Sequence, residues 1–217
     1  ELLRIALTNT DRLIRLINDI LDIEKIDAGH VQIRHDRVPL RSLLETTLTG
    51  LDGFAREAGV RLRLHESPEF EIIDDSDRLI QVFTNLVSNA VKFTPCDAEV
   101  EVSAHEDGDG VRVSVRDRGP GISKEFASRI FGRFQQAGGA ESRRSGGTGL
   151  GLSIAKAITE LHGGRIGFEA PEDGEGTVFY VTLPLAPEIA DSDDERPRVM
   201  IVEDDDSMRA VMCALVE

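Results

Sequence analysis

Two asparagines and a lysine form a row on one face of a predicted helix. Asn85, Asn89 and Lys92 follow one another at spacings of four and three residues in the stretch 76–93, whose opposite side is apolar. An amide oxygen is a neutral, hard ligand for Mg²⁺, and a lysine ammonium is a point charge that attracts phosphate. Asparagine is a weak helix former, so a binding role stands beside the alternative of a solvated polar face.

A second cluster stands at the end of a predicted strand. Asp117 is followed closely by Gly119 and Gly121. A carboxylate at this place can accept a hydrogen bond from an exocyclic amine, while glycine lets the backbone lie close to a flat base. Taken alone, however, the pattern favours an ordinary Asp-Gly turn.

A third cluster is a glycine-rich run that leads into a predicted helix. Glycines before a helix N-terminus offer several N–H groups to a polyphosphate. No Lys-Ser/Thr pair ends the run, so it is not a P-loop, and the G-x-G-x-x-G spacing of a dinucleotide-binding turn is missing. A flexible connection is the alternative. The residues that would line a phosphate site are Gly147, Thr148, Gly149, Leu150 and Gly151.

The stretch between these two turns combines aromatic and cationic residues. Phe131, Arg133 and Phe134 precede a tract, 135–145, that contains glycines and two further arginines and has no apolar pattern. Such a tract predicts a mobile lid with an aromatic hinge. A plain disordered loop is the alternative.

Helices and strands must position these clusters, and the hydrophobic pattern predicts where they lie. Period-two alternation predicts strands at 31–33, 60–64, 70–73, 100–104, 111–115, 165–169 and 177–183. Helical periodicity predicts helices at 39–50, 76–93, 124–131 and 150–162. Because short turns join neighbouring strands, we expect an α+β fold, a two-layer α/β sandwich whose mixed sheet carries helices on one face.

The first 28 residues predict a different kind of helix. Residues 2–28 contain neither proline nor glycine and carry two adjacent heptad stripes of apolar residues. A face this wide suits a four-helix bundle, so the helix is expected to need partner helices, including those of a second chain. The predicted division is a bundle helix at 1–28, an α/β domain at 29–185, an acidic linker at 186–197 and the start of a further domain at 198–217.

Composition limits the class of protein. Forty acidic residues against 25 basic ones give a formal charge of −15, which disfavours a nucleic-acid-binding surface. Two distant cysteines indicate neither a disulfide framework nor a zinc site, and no apolar run reaches the roughly 18 residues of a membrane span. We expect a cytoplasmic fragment of a longer protein, without membrane contact of its own; an anchor further upstream stays open.

The four clusters together carry a resemblance that none carries alone. In this order, N-x-x-x-N-A-x-K, D-x-G-x-G, F-x-x-F and G-x-G-x-G resemble the catalytic ATP-binding domain of sensor histidine kinases, over about 39–184. Helix 2–28 resembles the second helix of that family's dimerisation and phosphotransfer domain, and 199–209 resembles the start of a receiver domain. The resemblance implies a hybrid kinase that forms a homodimer through its helix bundle and passes phosphate to a response-regulator receiver domain.

The resemblance also implies how ATP and Mg²⁺ are held at the phosphate end. Asn89 would coordinate Mg²⁺ with support from Asn85, and Lys92 would contact phosphate. The glycines within 147–151 would cradle the phosphates, and Arg133 would approach the terminal one. The implied reaction is transfer of the γ-phosphoryl group to a histidine nitrogen, in which positioning and charge neutralisation supply most of the catalysis.

At the base end, the resemblance implies that Asp117 accepts a hydrogen bond from the adenine amino group. Gly119 and Gly121 would line the base pocket, and Phe131 and Phe134 would anchor the lid. Guanine would present an acceptor to the same carboxylate, so the implied site selects adenine.

Some positions depart from the family pattern or lie in an incomplete site. Phe93 stands where many members have Tyr, and Asp97 stands where Gly is common. In the receiver-like segment, Glu203 and Asp204 match an acidic pair that would bind Mg²⁺, but the rest of that site would lie beyond residue 217.

The phosphoacceptor histidine is not recognisable in this chain. The chain has five histidines, and none stands in the sequence context of the family's acceptor. They are His30, His35, His65, His105 and His162. We therefore expect the acceptor histidine to lie outside these 217 residues. The alternatives are an ATPase of the wider superfamily that does mechanical work and a dimer scaffold without ATP binding. Asn85 stands where such ATPases have a water-activating Glu, and the retained motifs oppose the scaffold.

Overall fold

A five-stranded mixed sheet forms one layer of the computed structural model, which describes residues 2–28, 33–65, 67–136 and 148–186. From edge to edge its strands are β2 (Arg61–Leu64), β4 (Glu99–Asp107), β5 (Gly110–Asp117), β7 (Thr177–Pro184) and β6 (Arg165–Glu169). The pair β2–β4 is parallel and the other three pairs are antiparallel. A second, two-stranded antiparallel sheet joins β1 (Asp36–Pro39) to β3 (Glu71–Asp74).

Helices cover one face of the five-stranded sheet. They are α2 (Leu40–Glu57), α3 (Ser76–Phe93) and α5 (Gly151–Leu161), and the single turn α4 (Lys124–Ala127) lies between β5 and α5 in the chain. In β5 and β7 every second side chain is buried against the helices, as a half-buried strand requires. The predicted α+β sandwich, with a mixed sheet and helices on one face, is confirmed.

Helix α3 is the element that positions the predicted asparagine–lysine row. Its apolar side, which includes Phe83 and Leu86, is fully buried between α2, α5 and the sheet. Asp75 caps its N-terminus by accepting hydrogen bonds from the backbone N–H groups of Asp77 at 3.1 Å and Arg78 at 3.3 Å. The apolar stripe fixes the rotation of the helix, so the polar row must face away from the core.

Several predicted boundaries are wrong, and tertiary packing explains the differences. Helix α2 does not end at Gly50 but continues to Glu57, because its apolar stripe continues to Ala55, which is 1% exposed. Helix α4 ends at Ala127 rather than at 131, and tight turns follow it. Of the strand predicted at 31–33, residues 31 and 32 lie outside the described residues and Ile33 is not in a strand; β1 begins at Asp36 instead.

The N-terminal helix α1 (Leu2–Asp27) packs beside α5, and one of its faces meets the α/β layer. Ile23 is 6% exposed there, whereas other large apolar side chains of α1 are exposed. They are Leu13, Ile14, Ile17, Ile20 and Leu21. Among the described residues, no helix is long and apolar enough to cross a membrane.

Candidate functional site

The polar row of α3 lines a cavity of about 330 Å³. On the far side of this cavity lie Thr148, Gly149 and Gly151, which lead into α5. The α3 residues that line it are Thr84, Asn85, Ser88, Asn89 and Lys92. The structure therefore brings the first and third predicted clusters to one place.

Glycine is required where the N-terminus of α5 meets α3. A Cβ at Gly151 would lie 3.1 Å from Oδ1 of Asn85, which is a tight approach to a polar atom. Gly149 has φ +74°, and a Cβ there would lie 2.9 Å from the carbonyl carbon of Phe134. These two glycines let the turn lie directly on the asparagine row and on the backbone at 134–135.

Thr148 and Leu150 have different parts in this turn. The Thr148 Oγ1 accepts a hydrogen bond from the backbone N–H of Leu150 at 3.2 Å, so it supports the start of α5. The Leu150 side chain is 1% exposed and belongs to the core, so only its backbone can serve a ligand. Gly147, the remaining residue of the predicted run, lies outside the described residues.

Asp117 is a buried carboxylate at the end of β5. Its Oδ1 accepts hydrogen bonds from the backbone N–H groups of Gly119 at 2.8 Å and Thr177 at 3.2 Å. Burial raises the pKa of the Asp117 carboxyl, and these two hydrogen bonds offset the rise only in part. Both bonds fall on Oδ1, so among the described residues Oδ2 has no donor and is left for a ligand.

Glycines also make room around Asp117. A Cβ at Gly119 would lie 2.9 Å from Oδ1 of Asp117 and 2.9 Å from the carbonyl oxygen of Phe93. Gly121 has φ +75° and lies against Gly176. A Cβ on Gly176 would lie 1.9 Å from the carbonyl oxygen of Asp117. The base-end cluster is therefore a packed backbone cage rather than an open Asp-Gly turn.

Helix α3 connects the two ends of the site. Asn89 lines the cavity, and Phe93, one helical turn later, places its carbonyl oxygen beside Gly119. The backbone N–H of Arg118 then donates to the Thr94 hydroxyl at 3.3 Å. An extended ligand could thus reach from the cavity to Asp117 along the last turn of α3.

The residues of the predicted lid hinge separate in the structure. The Phe131 ring packs on Phe168 with a centroid distance of 6.3 Å, which ties it to the sheet. Phe134 is 62% exposed, and its backbone has φ +59°. The backbone of Phe134, rather than its ring, lies against Gly149. Arg133 lines a different cavity, beside Ile26 and Lys156. The predicted lid from 137 to 145 lies outside the described residues.

Comparison with known proteins identifies the family. A family model described as histidine kinase-, DNA gyrase B- and HSP90-like ATPase matches residues 74–187. The chain belongs to this family. Sensor histidine kinase GacS of Pseudomonas protegens is 36% identical over 94% of this chain, and histidine protein kinase DivJ of Caulobacter vibrioides is 41% identical over 82%. The chain spans only 23% and 30% of these two relatives.

Solved structures agree with the sequence comparison. The crystal structure of full-length ShkA in complex with AMPPNP has a TM-score of 0.71 at 32% identity, over 82% of this chain and 37% of that one. The catalytic domain of histidine kinase ThkA has a TM-score of 0.60 at 30% identity, over 70% of this chain and 95% of that one. This ATPase domain is the ATP-binding catalytic part of a sensor histidine kinase, as the order of the motifs predicted.

Two residues that lie at the site were not predicted from the sequence. Thr177 holds Asp117 through its backbone N–H, and the only sequence signal is the glycine before it. Asp19 of α1 lines the cavity, although it lies 66 positions before Asn85 in the chain. One carboxylate among several in an amphipathic helix gives no sign of such a contact.

Proposed function

We propose that the cavity beside α3 holds ATP with Mg²⁺, and that the domain transfers the γ-phosphoryl group to a histidine outside these 217 residues. The observation that carries the proposal is the convergence of Asn85, Asn89 and Lys92 with the Thr148–Gly151 turn around one cavity. Asp117 lies beside the C-terminal end of the same helix, where a base would sit.

The side chains at the cavity fit a magnesium-bound triphosphate. Amide oxygens are hard ligands that suit Mg²⁺, and Gly151 leaves Oδ1 of Asn85 uncovered by any side chain at that position. We assign the metal-ligand role to Asn89, with Asn85 beside it, because both line the cavity. Bound Mg²⁺ would neutralise phosphate charge during transfer.

The rest of the chain's contribution is orientation. Lys92 would place a positive charge beside the phosphates, and the N-terminus of α5 would direct backbone N–H groups at them. Oδ2 of Asp117 would accept from the adenine amino group, and the backbone at Gly119 and Gly121, packed beside Asp117 without side chains, could lie close to the flat base. Phosphoryl transfer relies mainly on such positioning and on neutralisation of charge, and these groups would supply both.

The partners follow from α1 and from the C-terminal segment. The exposed apolar side chains of α1 from Leu13 to Leu21 would be covered by a helix bundle in a homodimer. In this proposal, residues 1–28 belong to the dimerisation and phosphotransfer domain, 29–185 form the catalytic domain and 186–197 are a linker. Residues 198–217, with Glu203 and Asp204, would begin a receiver domain that takes up the phosphate; this segment lies outside the described residues.

The decisive experiment follows labelled phosphate from ATP. The chain is incubated with γ-labelled ATP, Mg²⁺ and a separate phosphoacceptor helix domain, and both labelled protein and free phosphate are measured. Asn89→Ala should lower transfer at least a hundredfold, because the metal ligand is lost, while circular dichroism remains unchanged. Asn18→Ala, which removes the same amide from an exposed position of α1, is the matched control.

Two results would contradict the proposal. Transfer that is equal in Asn89→Ala and in the unaltered chain would remove the ligand role. Free phosphate without labelled protein would instead indicate the hydrolytic chemistry of the wider ATPase superfamily.

A further inference from the structure

Helix α1 places a carboxylate inside the cavity that the proposed function assigns to the phosphates. Asp19 lines this cavity together with Asn85, Asn89 and Lys92. Its Oδ2 accepts a hydrogen bond from the hydroxyl of Thr148 at 3.0 Å, across 129 positions of the chain. The same hydroxyl oxygen accepts from the backbone N–H of Leu150, so Asp19 is coupled directly to the start of α5.

A second carboxylate holds α1 to α3 one turn further on. Gln81 donates from Nε2 to Oδ2 of Asp22 at 2.7 Å, and the Arg78 guanidinium lies 3.6 Å from Oδ1 of the same residue. Ile23 is buried beside it and Ile26 packs against the core. We call these four α1 residues, at spacings of three, one and three, the docking face: Asp19, Asp22, Ile23 and Ile26.

The docking face is small. It has two carboxylates and two isoleucines, whereas the exposed apolar side chains of α1, from Leu13 to Leu21, lie outside it. Elements with few buried apolar contacts are the ones that open with little free energy. We therefore expect the docking face to exchange between bound and released states without unfolding of the α/β layer.

A triphosphate in the cavity would conflict with the docked helix. The Thr148 hydroxyl can donate only one hydrogen bond, and while α1 is docked it donates that bond to Asp19. Phosphate oxygens in the same cavity would also repel the Asp19 carboxylate, since like charges a few ångströms apart disfavour each other strongly away from bulk water. The Asp19 carboxylate and the phosphates would therefore compete for the Thr148 hydroxyl and would repel each other, because both are negatively charged.

We propose that docked α1 and the nucleotide phosphates compete for the Thr148 turn, so that Asp19 acts as a latch which nucleotide binding releases. The proposal rests on the proposed function, because it takes this cavity as the phosphate site. By reciprocity, whatever holds α1 in the docked position lowers nucleotide affinity, and nucleotide frees the docking face. Loading of the site and the position of the bundle helix are thereby coupled.

Calorimetry with Mg²⁺ and a non-hydrolysable ATP analogue tests the latch on the whole chain. Asp19→Ala should bind the analogue about fivefold to tenfold more tightly than the unaltered chain, at the lower end of the usual range for coupling between sites. Asp22→Ala should also tighten binding, because it loosens docking without touching the cavity. Glu24→Ala removes an exposed charge from the same helix and should leave affinity unchanged.

Amide hydrogen exchange supplies the second readout. The analogue should speed exchange in the peptide that covers residues 19–27 of the unaltered chain and have little effect there in Asp19→Ala, where α1 is already released. Weaker binding by Asp19→Ala would overturn the latch, since it would make Asp19 a metal ligand. If Asp19→Ala binds the analogue more tightly but Asp22→Ala binds it as the unaltered chain does, the effect comes only from the charge of Asp19 in the cavity. That result would also overturn the latch.

The latch and the proposed function fail in different ways. If the unaltered chain binds no analogue, the nucleotide site itself is refuted. If it binds the analogue but neither Asp19→Ala nor Asp22→Ala changes the affinity, only the latch is refuted.

Discussion

The carboxylate of Asp117 combines burial with one oxygen, Oδ2, that accepts no hydrogen bond from the described residues. Two backbone N–H groups, from Gly119 and Thr177, hold Oδ1, so an amide at this position can keep both bonds with its own oxygen. Its NH₂ would then replace Oδ2 and present a donor to the adenine amino group, which is also a donor. Asp117→Asn therefore changes the recognition chemistry while it can keep the two hydrogen bonds that hold the side chain in place.

Asp117→Asn should weaken ATP binding by about 1.5–3 kcal/mol, the scale of a hydrogen bond to a charged group. Calorimetry with ATP and GTP measures it, and the loss should be larger for ATP because only adenine offers an amino group at that place. Asp109→Asn, in the exposed turn between β4 and β5, provides the control. An ATP affinity equal to that of the unaltered chain would exclude Asp117 from base recognition.

The burial of Asp117 also makes a prediction about pH and stability. Because the pKa of this carboxyl is raised in the folded chain, the native state holds the proton more tightly than the unfolded state does. The protonated Asp117 carboxyl therefore contributes to the unfolding free energy. This contribution is complete below the ordinary pKa of 3.8 and is lost as the pH rises through the raised pKa of the folded chain. Asp117→Asn should therefore gain in unfolding free energy relative to the unaltered chain between pH 4 and pH 7, as measured by urea denaturation; a constant difference would contradict it.

At the scale of elements, the turn before β7 is fixed by a glycine that touches β5. Gly176 has φ +90°, and a Cβ there would lie 1.9 Å from the carbonyl oxygen of Asp117. Gly174, two residues earlier, has φ +75° with nothing within 4 Å of a Cβ. An alanine would therefore be strained at both positions, but only at Gly176 would it also clash with β5.

Gly176→Ala should lose about 1–3 kcal/mol more unfolding free energy than Gly174→Ala, the usual cost of overpacking. Because β5 and β7 pair at Asp117 and Thr177, the displaced turn should also weaken adenine nucleotide binding. Thermal unfolding and calorimetry on both variants measure the difference. Equal losses would show that backbone strain, rather than contact with β5, sets the requirement for glycine.

How far the sequence predicts an element depends on whether local signals or distant neighbours define it. Helix α3 matches its prediction because Asp75 caps it, an apolar stripe runs through it and Pro95 follows it. Helix α2 runs past Gly50 because burial of Ala55 outweighs local propensity. The charged strand β1 was missed since it forms only by pairing with β3, and the parallel pair β2–β4 joins segments that no turn connects.

The same distinction holds for the site. Its glycines and asparagines stand in short motifs, so their grouping around one helix could be predicted from the chain alone. Asp19 enters the cavity only through the packing of α1, and Thr177 reaches Asp117 only through the β5–β7 register. Contacts of this kind depend on the assembled fold and leave no periodic or motif signal.

On the scale of the whole molecule, α1 has two faces with different surroundings. The docking face meets the α/β layer through Asp19, Asp22, Ile23 and Ile26. The other side exposes Leu13 and Ile17 at 58% and 48%. Apolar side chains at heptad-like spacing on an exposed helix need a partner, so bundle formation and docking can occur on one helix at the same time.

Leu13→Glu combined with Ile17→Glu should therefore abolish self-association. Burying each of these side chains is worth about 1.5–3 kcal/mol, so the double change should weaken a dimer by well over a hundredfold. Sedimentation across a range of concentrations measures the mass, and Asn18→Glu adds a charge to an exposed position between them as control. The nucleotide affinity of the double variant should stay within about twofold, because neither side chain lines the cavity. A variant that remains dimeric would place the subunit interface on another surface and leave the exposed stripe of α1 for a different partner.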